Sequence, residues 1–248
     1  MKVLILAGGY GTRLYPVVKD TPKALLEVCG KTLIDHVLDK FCPVAGIEEA
    51  CVVTNDKFFC LLRDWADKKR GLPFPLRVIN DGTRVPEDRL GAVGDILFVF
   101  DREKQPVDWI VAGSDNLFDQ DMEGFVRFSQ SKGPYATVGA FDIHDLVAAR
   151  KYGVMSLADD GLVASLEEKP QEPRSSLISM CLYYFPKAVQ PLIQRYVDET
   201  HSRDTTGGCI QWLYKKSPIY GFKFHGKWYD IGSLESYDDA QKNFMRKP

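Results

Sequence analysis

The chain has 248 residues, and its 32 lysines and arginines against 34 aspartates and glutamates leave a formal net charge of −2. This balance argues against a general nucleic-acid binder, which needs a basic surface. No apolar run reaches the ~20 residues that span a bilayer. We therefore expect no nucleic-acid partner, no membrane insertion and a cytoplasmic location. The six cysteines include no Cys-x-x-Cys pair, so neither a zinc knuckle nor a redox pair is indicated.

The first half of the chain alternates strands with helices. Short apolar runs predict buried strands, and apolar residues at helical spacing predict amphipathic helices. In chain order, the predicted elements are a strand over 2–7, a helix over 32–41, a strand over 49–54, a helix over 57–68, a strand over 76–79, a helix over 90–100 and a strand over 109–112. This alternation predicts a mostly parallel, Rossmann-like sheet in an open three-layer α/β/α sandwich.

The second half is richer in strands. The predicted strands cover 135–141, 154–157, 163–166, 177–185, 219–224 and 227–231, and the predicted helices cover 188–197 and 233–244. Asp159-Asp160-Gly161 predicts a hairpin turn between two of these strands. We expect this half to extend the sheet and to build a small β-rich lobe. No flexible linker interrupts the chain, so we expect one domain over 1–248, with a first half over 1–134 and a second half over 135–248.

A glycine-rich loop follows the first predicted strand, with the sequence Gly8-Gly9-Tyr10-Gly11-Thr12-Arg13-Leu14. Glycines at this place let backbone N–H groups approach phosphate oxygens closely. Leu14 stands where a dinucleotide fingerprint needs its third glycine, and the Gly-Lys-Ser/Thr of a P-loop is absent. A nicotinamide-dependent enzyme is therefore disfavoured. The loop predicts a polyphosphate site with an arginine, the alternative being a glycine-rich turn with a surface arginine.

Three charged residues extend this hypothesis. Lys23 follows Pro22 soon after the glycine loop, and it either shares an anion site with the loop or is an ordinary solvated lysine. Asp115 and Asp230 each end an apolar stretch. Two carboxylates at the carboxyl edge of a sheet suit Mg²⁺, which binds through one or two carboxylates plus substrate phosphates. Singly, each aspartate is more often a helix cap or a turn residue.

Five further segments complete a fixed order along the chain. After the loop come Pro22-Lys23, Asp115-Asn116, Tyr152-Gly153-Val154, Glu168-Lys169-Pro170 and Trp228-x-Asp230-x-Gly232. Together they resemble the sugar-1-phosphate nucleotidylyltransferases, or nucleoside-diphosphate-sugar pyrophosphorylases, and in particular the glucose-1-phosphate thymidylyltransferase-like members. The resemblance covers nearly the whole chain, and it implies a nucleotide-binding half over 1–134, followed over 135–248 by a sugar-binding half and the C-terminal helix. It implies a GT-A-like nucleotidyltransferase fold and a Mg²⁺-dependent reaction of an NTP with a sugar 1-phosphate to give an NDP-sugar and pyrophosphate.

The resemblance also implies a role for each matching residue. The implied catalytic residues are Arg13, which would stabilise the leaving pyrophosphate, and Lys23, which would bind phosphate oxygens at the reacting centre. The implied nucleotide-binding residues are Leu6, Ala7, Gly8, Gly9, Gly11, Thr12, Asn80 and Gly91. The implied Mg²⁺ ligands are Asp115 and Asp230. The implied sugar-phosphate residues are Asn116, Gly153, Glu168 and Lys169.

Two departures from the family pattern leave the substrates open. The segment 84–88 is inserted where many relatives read the base, and 204–208 differs from the thymidylyltransferase pattern. We expect a hexose 1-phosphate with dTTP, UTP or CTP. The alternatives are a heptose or mannose 1-phosphate guanylyl- or adenylyltransferase, a non-catalytic regulatory relative, or a nucleotide-binding module without transferase chemistry. The chain ends after its last predicted helix, so we expect no β-helix domain and no second activity. Relatives form dimers or tetramers, which implies a homo-oligomer.

Overall fold

The computed structural model describes residues 1–11, 14 and 20–245. Its strands are β1 (Lys2–Leu6), β2 (Glu27–Val28), β3 (Lys31–Thr32), β4 (Glu49–Thr54), β5 (Leu76–Asn80), β6 (Trp109–Gly113), β7 (Asn116–Phe118), β8 (Ala136–Asp142), β9 (Gly153–Leu157), β10 (Val163–Glu168), β11 (Leu177–Phe185), β12 (Ile219–Phe224) and β13 (Trp228–Asp230). Its helices are α1 (Leu33–Asp39), α2 (Asp56–Asp67), α3 (Ala92–Phe100), α4 (Glu123–Ser131), α5 (Leu146–Ala149), α6 (Gln190–Thr200), α7 (Thr206–Lys216) and α8 (Leu234–Asn243). None of the helices in these described ranges has the length and apolar character to cross a membrane.

The predicted elements are all present, and the sequence reasoning missed six others. The additional ones are the two-residue strands β2 and β3, strand β7, and helices α4, α5 and α7. Helix α7 begins Thr-Gly-Gly, and glycine is a poor helix former. Its first turn therefore carries no local helical signal, and packing of α7 against β10 supplies the stabilisation instead.

The chain folds into two compact units that interleave along the sequence. Unit 1 contains residues 1–90, 112–122 and 226–248, and unit 2 contains 91–111 and 123–225. The predicted halves 1–134 and 135–248 are sequential, so their boundaries differ from those of the units. The interpretation of the whole chain as a single functional domain stays a prediction.

Unit 1 contains a parallel set of strands. Strand β4 pairs in parallel with β1 on one side and with β5 on the other. Val3, Leu4 and Ile5 of β1 are fully buried, as expected for a parallel strand covered on both faces. Because the three strands run in one direction, their carboxyl ends lie at one edge of the sheet. At this edge the glycine loop follows β1, Thr54 ends β4 and Asn80 ends β5.

A small antiparallel pair, β7 with β13, lies in the same unit. Asn116 is opposite Asp230, and Phe118 is opposite Trp228. Leu117 alternates to the other face of β7 and joins a buried cluster with Ile231 and with Ala240 of α8. This cluster anchors the two strand ends that carry the polar residues.

Unit 2 is the β-rich part. Strand β8 pairs in parallel with β12 and antiparallel with β11, and β11 pairs antiparallel with β9. The predicted hairpin is confirmed as β9–β10, with Glu168 opposite Gly153 and a positive φ of 85° at Gly161. A large, mostly parallel central sheet and two small antiparallel sheets confirm the predicted α/β class.

Candidate active site

The glycine loop extends from the carboxyl end of β1. The backbone amide of Ala7 donates to Val53 O (2.9 Å), so the strand pairing continues one residue into the loop. Gly9 is exposed, and in the described part of the chain no atom lies within 4 Å of the position that a Cβ would take there. Gly11 has a φ of +64°, which favours glycine. The loop therefore presents its backbone with room for a ligand. Thr12 and Arg13 lie outside the described residues.

Two residues that the sequence reasoning missed hold this loop in place. Thr54 Oγ1 donates to Ala7 O (3.1 Å), and Asn55 Nδ2 donates to Gly8 O (3.0 Å). Both side chains are fully buried. Asn55 also caps α2, because its Oδ1 accepts from the backbone amide of Phe58. Their position at the carboxyl end of a parallel strand was a signal that could have identified them.

Asn80, a predicted nucleotide-binding residue, ends β5 in the same unit. Its Nδ2 donates to Asp56 Oδ1 (2.7 Å), and its Oδ1 accepts from the backbone amide of Gly82 (2.8 Å). The structure therefore uses this amide to order the turn after β5. Its role toward a nucleobase stays a prediction.

The predicted catalytic Lys23 is brought to the predicted metal ligand Asp115. Lys23 begins a single 3₁₀ turn, Lys23–Leu25, whose second residue, Ala24, is buried. Lys23 Nζ donates to Asp115 Oδ2 at 2.6 Å, and their side chains are 17% and 29% exposed. At that exposure, the ion pair is only partly screened by water. The sequence interpretation of a solvated lysine is therefore wrong for this residue.

Asp115 is held from its other side by Asn116. Asn116 Nδ2 donates to Asp115 Oδ1 (3.1 Å), and Trp228 Nε1 donates to Asn116 Oδ1 (3.0 Å). Burial opposes the charged form of Asp115, but the Lys23 ammonium and the hydrogen bonds outweigh it and lower the pKa of that carboxyl. Asp115 is therefore a fixed, ionised carboxylate at neutral pH.

Asp230 lies next to this group through strand pairing. It is directly opposite Asn116, and the backbone amide of Ile231 donates to Asp115 O (3.1 Å). Directly opposite residues of an antiparallel pair share a face, so Asp230 and Asn116 project to the same side. The sequence prediction placed both aspartates at one edge, and the structure joins them through β7 and β13.

The carboxylates of Asp115 and Asp230 are oxygen ligands of the kind that Mg²⁺ takes. A carboxylate offers about four lone-pair positions, and Lys23 and Asn116 engage one on each oxygen of Asp115, so acceptor capacity remains. Among the residues that the structure describes, no group of three or more Asp, Glu, His or Cys side chains could hold a metal alone. Mg²⁺ suits such a site because it takes its other ligands from phosphates and water.

Unit 2 brings together Gly153, Glu168 and Lys169, which were predicted to contact the sugar phosphate. The Glu168 side chain is 19% exposed, and burial raises the pKa of its carboxyl despite Lys169. Lys169 has a φ of +49°, and its backbone amide donates to Tyr152 O (3.0 Å). Its Nζ is 3.8 Å from Glu168 Oε1. A partly buried carboxylate beside an exposed ammonium is a suitable receptor for hydroxyl donors and a phosphate.

Gly91, the remaining predicted nucleotide-binding residue, caps α3 in unit 2. The backbone amides of Ala92 and Val93 donate to the carbonyls of Asp204 (2.9 Å) and Arg203 (3.0 Å). A Cβ on Gly91 would lie 2.5 Å from Arg203 O. The segment before α7 thus packs directly on this glycine. A role of the Gly91 backbone toward a nucleobase stays a prediction.

The chain is similar to known proteins along nearly its whole length. A family model described as nucleotidyl transferase matches residues 2–247. Glucose-1-phosphate adenylyltransferase of Fusobacterium nucleatum is 30% identical over 261 residues, which is 98% of this chain and 66% of that protein. The enzyme of the same name from Fervidobacterium nodosum is 27% identical over 256 residues, which is 98% of this chain and 61% of that protein.

A solved structure has the same fold. The chain superposes on UDP-glucose pyrophosphorylase complexed with UDP-glucose with a TM-score of 0.80, 22% identity, and coverage of 98% of this chain and 97% of that one. At this identity the match concerns the fold alone. The chain spans 66% and 61% of the length of the two adenylyltransferases.

Proposed function

Because the chain belongs to the nucleotidyl transferase family, we propose that it is a sugar-1-phosphate nucleotidylyltransferase, which joins an NTP to a sugar 1-phosphate and releases pyrophosphate. The observation that supports this most is the hydrogen-bonded series Lys23–Asp115–Asn116–Trp228, with Asp230 opposite Asn116. It combines a cation for phosphate oxygens with two carboxylates suited to Mg²⁺.

The proposed nucleotidyl transfer is a direct displacement at the α-phosphorus. A phosphate oxygen of the sugar 1-phosphate forms a bond to the α-phosphorus of the NTP. The bond from that phosphorus to the bridging oxygen of the β-phosphate breaks, and pyrophosphate leaves with the electron pair. The attacking oxygen is already an anion, so no general base is required. The barrier comes from charge repulsion and alignment, which fixed cations and backbone amides lower.

The residues of unit 1 supply the nucleotide and metal sites of the proposal. Leu6 through Thr12 contact the NTP, with the backbone of Gly8, Gly9 and Gly11 against its phosphates, and Lys23 holds a phosphate oxygen. Asp115 and Asp230 would hold Mg²⁺, which would supply positive charge to neutralise the triphosphate. Arg13 stabilises the charge that develops on the leaving pyrophosphate. Asn80 contacts the base.

The residues of unit 2 supply the acceptor site. Glu168 accepts hydrogen bonds from sugar hydroxyls, Lys169 binds the sugar phosphate, and Gly153 contacts the sugar. Asn116 also contacts the sugar, and the Gly91 backbone approaches the base. We propose a hexose 1-phosphate as the acceptor, in keeping with the names of the adenylyltransferases above. We propose a pyrimidine NTP as the nucleotide, and the substrate matrix below tests it against the purine NTPs. NTPs are cytoplasmic metabolites, so we propose that location.

The test is pyrophosphate release with Mg²⁺ across the common NTPs and several sugar 1-phosphates. We expect a signal that requires both substrates and disappears with EDTA, and the most active pair identifies the base and the sugar. Asp115→Asn and Arg13→Ala should each lower turnover at least 100-fold. Asp121→Asn, at an exposed aspartate of the same unit, is the matched control and should retain activity. No release from any pair, with NTP binding retained, contradicts the proposal and indicates a nucleotide-binding module. No NTP binding indicates a non-catalytic relative.

A further inference from the structure

The Glu168 carboxylate packs against the backbone of two glycines. At Gly153, opposite on β9, a Cβ would lie 3.0 Å from Glu168 Oε2. At Gly207, in the first turn of α7, a Cβ would overlap the carboxyl group, with Glu168 Oε1 only 2.5 Å away. The carboxylate thus occupies the space that a side chain at position 207 would need.

The helix that carries Gly207 cannot easily move away. Tyr183 OH donates to Thr206 Oγ1 (2.9 Å) beside Gly207, and Tyr183 is 2% exposed. Farther along α7, Tyr214 OH donates to Ala164 O of β10 (2.8 Å). Because α7 is tied to β11 by the first bond and to β10 by the second, any added atom at position 207 must displace the Glu168 side chain.

Glu168 has acceptor capacity that the described residues do not use. Lys169 Nζ is 3.8 Å from Oε1, which is too far for a hydrogen bond. Burial disfavours the charged form and raises the pKa of this carboxyl, although the neighbouring Lys169 ammonium acts in the opposite direction. A ligand with neighbouring hydroxyl groups would supply hydrogen-bond donors to this carboxylate.

We infer that Gly207 is a positioning residue for the acceptor sugar. By carrying no side chain, it lets the Glu168 carboxylate lie against the first turn of α7, where it accepts hydrogen bonds from sugar hydroxyls. This inference rests on the proposed function. A methyl group at position 207 would push the carboxylate aside by about 1 Å, and a displacement of that size can cost about 100-fold in rate.

The experiment compares Gly207→Ala with Gly208→Ala in steady-state pyrophosphate release, using the most active substrate pair of the wild type. Gly207→Ala should lower kcat/KM for the sugar 1-phosphate by roughly 10- to 100-fold and leave KM for the NTP unchanged. Gly208→Ala makes the same change one residue later. Its Cβ would meet Tyr196 OH at 3.0 Å, which a shift of a few tenths of an ångström relieves, so wild-type kinetics are expected.

A rescue separates positioning from a merely structural effect. Glu168→Asp shortens the side chain by one methylene, so its carboxylate lies farther from the methyl group that Gly207→Ala adds. The double variant should therefore be more active than the product of the two single losses predicts. Equal kcat/KM values for Gly207→Ala and Gly208→Ala, or strictly multiplicative losses in the double variant, would overturn the inference while the proposed function stands. A wild type without sugar-1-phosphate-dependent release would overturn both.

Discussion

Gly91 precedes α3 with φ 78° and ψ 164°, a backbone conformation that only glycine adopts readily. An added Cβ would lie 2.5 Å from Arg203 O and 2.6 Å from Asp204 Cα, and both are backbone atoms. The backbone amides of α3 bind the carbonyls of these two residues. We therefore expect Gly91→Ala to be among the most destabilising single methyl additions in unit 2.

The magnitude follows from two contributions. The backbone conformation costs an alanine about 1–3 kcal/mol. Relief of the clash moves segment 203–204 away and weakens the hydrogen bonds from the first amides of α3, each with a net contribution of about 1 kcal/mol. Together these predict a loss of roughly 3–5 kcal/mol in the free energy of unfolding. For a chain of this size, Tm should fall by about 6–20 °C.

The assay is urea unfolding followed by circular dichroism, with Gly133→Ala as the control. Gly133 also has a positive φ, +65°, but no described atom lies within 4 Å of its added Cβ. Gly133→Ala has the backbone strain without the clash, so its free energy of unfolding should fall by about 1–2 kcal/mol. If Gly91→Ala and Gly133→Ala differ by less than about 1 kcal/mol, the contact with segment 203–204 does not constrain this position and the reasoning is refuted.

Three other outcomes concern the site in unit 1. The pKa of Asp115 is lowered in the folded state, so the ionised carboxylate stabilises the fold above pH ~4, and this contribution is lost as pH falls through the folded pKa. Urea unfolding should show Asp115→Asn about 1–3 kcal/mol less stable than the wild type at pH 7, and the difference between the two proteins should disappear in acid. Trp228→Phe leaves the buried Asn116 Oδ1 without its indole donor and should lower the free energy of unfolding by about 1–3 kcal/mol in the same assay. An unchanged urea midpoint would contradict a stabilising role for that hydrogen bond. Asn55→Ala removes the bond to Gly8 O and should raise KM for the NTP more than KM for the sugar 1-phosphate, an expectation that equal increases would disprove.

Local physical chemistry made much of the fold predictable. Short apolar runs such as 2–7 and 49–54 favour buried strands, and the helical stripes between them favour helices packed on the sheet. The turn at Gly161 was predictable for the same reason, since Asp-Gly between two alternating strands favours a hairpin. Each of these signals resides in a few neighbouring residues.

Helix α7 and the short strand β7 were not predictable in this way. The first turn of α7 contains Gly207 and Gly208, and its stability comes from contacts such as that of Tyr214 with β10. Strand β7 is three residues long and exists through its pairing with β13, more than 100 residues later. The local sequence of β7 carries no information about a pairing strand so far along the chain.

The sequence by itself determined which chemical groups are available: a glycine loop after a buried strand, a lysine soon after it, and acids at strand ends. It could do so because glycine freedom, charge and periodicity are properties of the residues themselves. Only the tertiary structure decided that Lys23 pairs with Asp115, that Asp230 is opposite Asn116, and that Glu168 lies against Gly207. These are contacts between residues distant in sequence, and their distances are set by how strands pair and helices pack.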